Sequence, residues 1–122
     1  IASDLYAGDN SSANGQAIWQ QIVRQPQRPD GIVVATSQLA AGLMAGAQTS
    51  GLRIGPELGV ISFDNYPLAE HTTPALSVVD LDLFELGAQA SRALFEQLEN
   101  PQHRVQSQLL NLLLRPRASS QR

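Results

Sequence analysis

The sequence predicts an α/β fold, a parallel sheet flanked by helices. Short apolar, β-branched runs alternate with longer stretches of helical period. Cap and turn residues separate each run from the next. The 122 residues, 43% hydrophobic and 16% charged, suit a single packed core rather than a disordered or coiled-coil chain.

Residues 4–8 (DLYAG) read as a first strand. Ser11 or Ser12 then caps a helix in which Gly15, Ile18, Trp19, Ile22 and Val23 recur on one buried stripe, and Pro26 and Pro29 stop it. Residues 31–35 (GIVVA) form the kind of run that is covered on both faces of a parallel sheet, so a central strand is expected. Ser37 is placed to cap the next helix, whose stripe is Leu39, Gly42, Leu43, Gly46 and Ala47, with Gly51 as a left-handed stop. Its opposite face holds Ala40, Ala41, Met44 and Ala45 with hardly any charge. A second surface, from this chain or a partner, is expected to cover that face, and we read it as a subunit contact. The Gly42 and Gly46 spacing serves close packing, because the stretch is too short to span a bilayer.

Residues 59–63 (GVISF) give a third strand ending at Asp64, and residues 76–79 (LSVV) a fourth ending at Asp80. Between them, residues 65–74 form a polar connection. Residues 81–99 return to helical period, with Leu83, Leu86, Ala90, Leu94 and Leu98 on one stripe and Phe84, Ala88 and Phe95 beside it, up to Asn100 and Pro101. A last strand is expected at residues 106–114, where apolar residues cluster instead of alternating. Arg115, Arg117 and Arg122 follow as a tail whose charges are solvated or paired locally.

Absent residue types exclude several chemistries. All eight basic residues are arginine, so neither a phosphate-loop lysine nor a Schiff-base lysine exists. Without cysteine there is no thiol nucleophile, thiolate metal site or disulfide, which fits a reducing compartment. His71 and His103 lack metal-site spacing, and no G-x-S-x-G or G-x-G-x-x-G turn occurs. We expect no enzyme activity, no cofactor and no metal. The net charge of −3 disfavours nucleic-acid binding by this segment, and no apolar run approaches a membrane span. The first residue is Ile1, which leads us to expect a piece excised from a longer protein.

In open parallel sheets ligands bind beyond the carboxyl ends of the strands. Those ends deliver Asp9 and Asn10, Thr36 and Ser37, Asp64 and Asn65, then Asp80 and Asp82, short groups suited to bonding hydroxyls. Ser37 also reads as a helix cap, and Asp80 and Asp82 as groups serving the first turn of the long helix. Asp64 follows an apolar strand without an obvious helix after it, so two readings stand: a ligand group or a brace for its loop.

Residues 29–79 resemble the effector-binding core of the LacI/GalR family of bacterial repressors. The resemblance rests on GLRIGPELGVISFDN (residues 51–65), TPALSVV (73–79) and ELG (85–87). GDNSSANG (8–15) and LLLRPRASS (112–120) extend it over nearly the whole chain. It implies a two-lobed, periplasmic-binding-protein-like sensor that closes on a sugar or related metabolite. Residues 1–122 would be the C-terminal lobe of that sensor, with the DNA-binding domain and most of the N-terminal lobe absent. It places Asp64 as the pocket aspartate, with Asn10, Thr36 and Ser37 as further effector-binding positions, although the family often has other residue types at those three and at Leu81. It further implies a homodimer through the helix holding Ala41 and Ala45 and the loop near Thr72, operator DNA bound only through the absent domain, and a cytoplasmic location. A secreted sugar-binding protein of a transporter shares the lobes and is the alternative. In the family the helix after TPALSVV packs on the other lobe. Exposing its large apolar side chains would forfeit about 1.5–3 kcal/mol each, so burial by a second copy, by swapping or by refolding against its own sheet is expected.

Overall fold

A computed structural model describes residues 5–102 and 106–121. The elements are α1 (Ser12–Ile22), β1 (Gly31–Val34), α2 (Ser37–Thr49), β2 (Gly59–Phe63), α3 (Leu68–His71), β3 (Ser77–Asp80), α4 (Leu83–Glu99) and β4 (Leu113–Arg115), followed by a 3-10 turn, Ala118–Ser120. The sheet runs β1-β2-β3-β4, and β2 pairs in parallel with β1 and β3 on either side. The register matches Val34 with Ser62 and Ser62 with Val78, which sets these three residues on one face.

That face is the covered one. Val34, Val60 and Val78 are buried together with Ile18, Trp19 and Ile22 of α1 and with Ala40, Leu43, Met44 and Ala47 of α2. On the other face Val33 is 70% exposed, Phe63 is exposed and Ile61 and Val79 are half-buried. The expected central strand is therefore an edge strand among the described residues. Apolarity reports how well a strand tolerates burial, not whether neighbours arrive on both sides. The expected strand at residues 4–8 is not formed over residues 5–8, and Asp4 lies outside the described residues. Leu5 is exposed there, and only Tyr6 packs against the core.

The helices begin for identifiable reasons. Ser11 accepts from the Asn14 amide at 3.1 Å and caps α1, as expected. For α2 the cap is Thr36, not Ser37: Thr36 has extended backbone and its Oγ1 accepts from the Leu39 amide at 3.3 Å, which makes Ser37 the first helical residue. Ala40 and Met44, on the face for which a covering surface was expected, are buried in this chain's own core, and of α2 only Gln38, Ala45, Gln48 and Thr49 stay exposed. α1 and α2 meet at backbone distance. A Cβ added to Gly42 would lie 1.9 Å from the Ser12 carbonyl oxygen, and one added to Gly15 would lie 2.2 Å from that of Leu39. The polar connection after β2 contains the unforeseen short helix α3, pinned by buried Ala69.

The chain forms two compact units, residues 1–80 with 114–122, and residues 81–113. In the second, Asp82 caps α4 by accepting from the Glu85 amide at 2.9 Å, and Asn100 ends the helix. Glu85 accepts from Gln89 at 2.7 Å on its polar side. No residue of α4 is buried, and Phe84 is 85% exposed. The expected strand at 106–114 shrinks to β4, because a clustered apolar run offers no alternating face to a neighbour. Residues 103–105 of the preceding stretch lie outside the described residues.

Candidate functional site

The carboxyl ends of β1 and β2 are joined by a direct side-chain contact. Asp64, at the end of β2, takes a left-handed backbone with φ 70°, a region that aspartate enters more readily than most residues. Its Oδ1 accepts from the Ser37 amide at 3.2 Å and also from the Ser37 hydroxyl. Ser37 opens α2, so the carboxylate satisfies an unpaired helix N–H and faces the positive end of that helix. The Ser37 hydroxyl, which is buried, also hydrogen bonds with Ser62 Oγ at 3.3 Å. Among the described residues only Oδ1 of Asp64 is engaged. The same carboxylate can therefore brace its loop through one oxygen and meet a ligand hydroxyl through the other.

Asn10 and Thr36 stand nearby with different freedom. Ser12 Oγ donates to the Gln38 carbonyl at 3.0 Å, which sets the turn carrying Asn10 beside the first turn of α2. Asn10 is exposed there. Thr36 is committed to its capping bond. Asp9 accepts from the Ser11 hydroxyl at 2.5 Å and the Ser11 amide at 2.9 Å, and these bonds hold its carboxyl below the usual range. The group is an anion fixed at the start of α1.

A second cluster, which residue spacing alone did not reveal, adjoins the first. Asn65 Nδ2 donates to Asp80 Oδ2 at 3.1 Å, and Arg115 Nε donates to the same oxygen at 2.5 Å. Arg117 donates to Asn65 Oδ1 at 2.9 Å, to Glu70 Oε1 at 2.8 Å and to the Leu76 carbonyl at 2.8 Å. Asp80 is thus bound to an arginine rather than serving the first turn of α4, and both described tail arginines are paired, though with partners far away in sequence rather than locally; Arg122 lies outside the described residues. Ser119, fully buried, donates to the Val60 carbonyl at 2.6 Å and accepts from the Ser77 amide at 2.8 Å, which fastens the tail to the sheet.

On the outer side of α2, Ala45 is exposed and Ala41 half-buried. Gln48 donates to the Thr73 carbonyl at 2.7 Å, so this side runs on into the loop of Thr72. The Thr72 hydroxyl lies 3.1 Å from the Ala69 carbonyl and 2.9 Å from that of Pro74. Among the described residues no histidine, cysteine or carboxylate group is arranged to hold a metal, and no helix is long and apolar enough to cross a membrane.

A helix-covered parallel sheet with short polar side chains at its carboxyl edge is an open-sheet α/β fold, the class in which ligands bind beyond the strand ends. The periplasmic binding protein-like domain family matches residues 2–120, and the chain belongs to it. Among its relatives, the ribose operon repressor of Halalkalibacterium halodurans is 29% identical over 99 residues, covering 81% of this chain and 30% of that protein. The HTH-type transcriptional repressor PurR of Escherichia coli is 31% identical over 103 residues, covering 84% of this chain and 30% of that protein. In structure, the chain is similar to the Lac repressor dimer bound to operator and the anti-inducer ONPF, with a TM-score of 0.82 and 30% identity over 94% of this chain and 40% of that one. The chain spans about 30% of the length of the two curated repressors it matches.

Proposed function

We propose that this chain is the C-terminal lobe of the effector-binding domain of a LacI-like transcriptional repressor, preceded in the whole protein by the other lobe and a DNA-binding domain. The observation that carries the reading is Asp64, a carboxylate fixed at the sheet edge by Ser37 with its second oxygen unengaged among the described residues. Such a group accepts bonds from adjacent hydroxyls, which suits a sugar-like effector. Asn10 supplies an exposed amide on the turn beside the first turn of α2, Ser37 orients the carboxylate and Thr36 holds the helix start. The domain binds and does not catalyse: effector occupancy biases lobe closure and so operator affinity. The relatives named above are repressors, which favours this reading over a transporter's sugar-binding protein. A repressor works where the DNA is, so the cytoplasm is its compartment.

The test is a thermal-shift screen of the whole regulator against sugars and nucleosides, repeated with Asp64→Ala. Losing a charged hydrogen bond should weaken the responding ligand by a factor of about 10 to 150. Full response from Asp64→Ala would remove Asp64 from the pocket and the reading with it.

The outer side of α2, with Ala41, Ala45 and the adjoining Thr72 loop, is the homodimer surface under the same reading. Small uncharged side chains let two helices approach closely. Ala45→Glu, at an exposed position that leaves the core intact, should move the whole regulator from dimer to monomer in sedimentation velocity. An unchanged dimer would place the interface elsewhere.

A further inference from the structure

We propose that Asn65 is a positioning residue that ties the Asp64 turn to both points where the chain passes into and out of residues 81–113. Asp80 is the last residue before the chain leaves the first unit, and Arg115 lies just after it returns. The two meet at one oxygen, Asp80 Oδ2, which accepts from Arg115 Nε and from Asn65 Nδ2. The Asn65 carbonyl oxygen accepts from Arg117, two residues further along the returning chain. One amide side chain therefore uses its donor on the outgoing crossing and its acceptor on the returning one.

Three features make this more than a local brace. The Arg117 side chain is only 16% exposed and divides its donors among Asn65, Glu70 and the Leu76 carbonyl, so its orientation is fixed from three sides. Asn65 follows Asp64 directly, one peptide plane away, so a change in the left-handed turn shifts the Asn65 backbone that carries its side chain. Asp64 is in turn held on α2 through Ser37. A displacement at the carboxylate reaches both crossings through the Asn65 side chain, in parallel with the backbone ladder that pairs Phe63 with Val79, and a displacement of the crossings reaches the carboxylate by the same route. This rests on the proposed effector role of Asp64 for its purpose, but not for its test.

Hydrogen exchange read by mass spectrometry tests the link in the whole protein without any ligand. Asn65→Ala should speed exchange about threefold to tenfold at residues 79–82 and 113–117, the range that one lost hydrogen bond gives to a local opening. Arg115→Ala removes a half-exposed side chain and leaves the core untouched, so it keeps the test open should Asn65→Ala fail to fold. It should speed exchange at residues 62–66 as well as at 113–117, while residues 40–47 of α2 stay within about twofold of the wild type, as local openings do. Acceleration confined to 113–117 in Arg115→Ala, or spread evenly over α2 in both variants, overturns the proposal. Either result leaves the effector reading standing, since that reading is judged by the ligand response of Asp64→Ala alone.

Discussion

Trp19→Ala is expected to lower stability by about 3–5 kcal/mol, a large share of the roughly 5–15 kcal/mol that holds a domain folded. Trp19 is 0% exposed and sits at the centre of the seam between α1 and α2. Its indole lies against Gly46, where an added Cβ would come within 3.0 Å of Cδ1, and its Nε1 donates to Ser50 Oγ at 2.9 Å. Truncation opens a cavity that neither helix can close, because Gly42 and Gly15 already hold the two backbones in contact. Urea denaturation followed by circular dichroism measures the loss. A change below about 1.5 kcal/mol, the size of a tolerated volume-conserving swap, would mean that the seam repacks and that the indole is not its keystone.

Gly42→Ala is expected to be almost as damaging, although it adds only a methyl group. The new Cβ would stand 1.9 Å from the Ser12 carbonyl oxygen and 2.6 Å from its carbon, and both are backbone atoms that no rotamer change can move aside. The helices must separate, at about 1–3 kcal/mol or more, which for a domain of this size lowers Tm by about 4–8 °C per kcal/mol. Separation also moves the turn of Asn10 away from the start of α2, so under the proposed function the effector response should weaken along with Tm. Gly87→Ala is the control: nothing lies within 4 Å of an added Cβ there, and alanine suits a helix interior better than glycine. Equal melting temperatures for Gly42→Ala and the wild type would refute the close crossing of α1 and α2.

Helical period located α1, α2 and α4, and Ser11 and Asn100 marked their ends, because caps and stripes are local and can be read within a few residues. β2 matched its apolar run and β3 lay one residue beyond it, for the same reason. Sheet position was not legible. Strands were expected at 31–35 and, with clustered apolar residues, at 106–114, yet the first became an edge strand and the second kept only Leu113 and Leu114, since a strand's neighbours come from distant parts of the chain. Asp64 could be singled out as the residue closing an apolar strand. Its left-handed backbone and its bond to Ser37, which lies 27 residues earlier, could not. Asn65, Asp80, Arg115 and Arg117 join over separations of 15 to 52 residues, far beyond any spacing rule. The face of Ala40 and Met44 is covered, as its lack of charge implied, but by this chain's own core rather than by a subunit, because an alanine-rich helix gives a weak contrast between its faces.

The φ of 70° at Asp64 has an evolutionary corollary. Glycine, asparagine and aspartate settle into that conformation most easily, and a single-nucleotide change in an aspartate codon reaches either of the other two. A lineage can therefore trade a negative charge for a neutral amide, or delete the group outright, without straining the backbone torsion, although glycine would also give up the brace to Ser37. Under the proposed effector role of Asp64, selection for a different ligand could begin at this codon before any compensating mutation arises elsewhere.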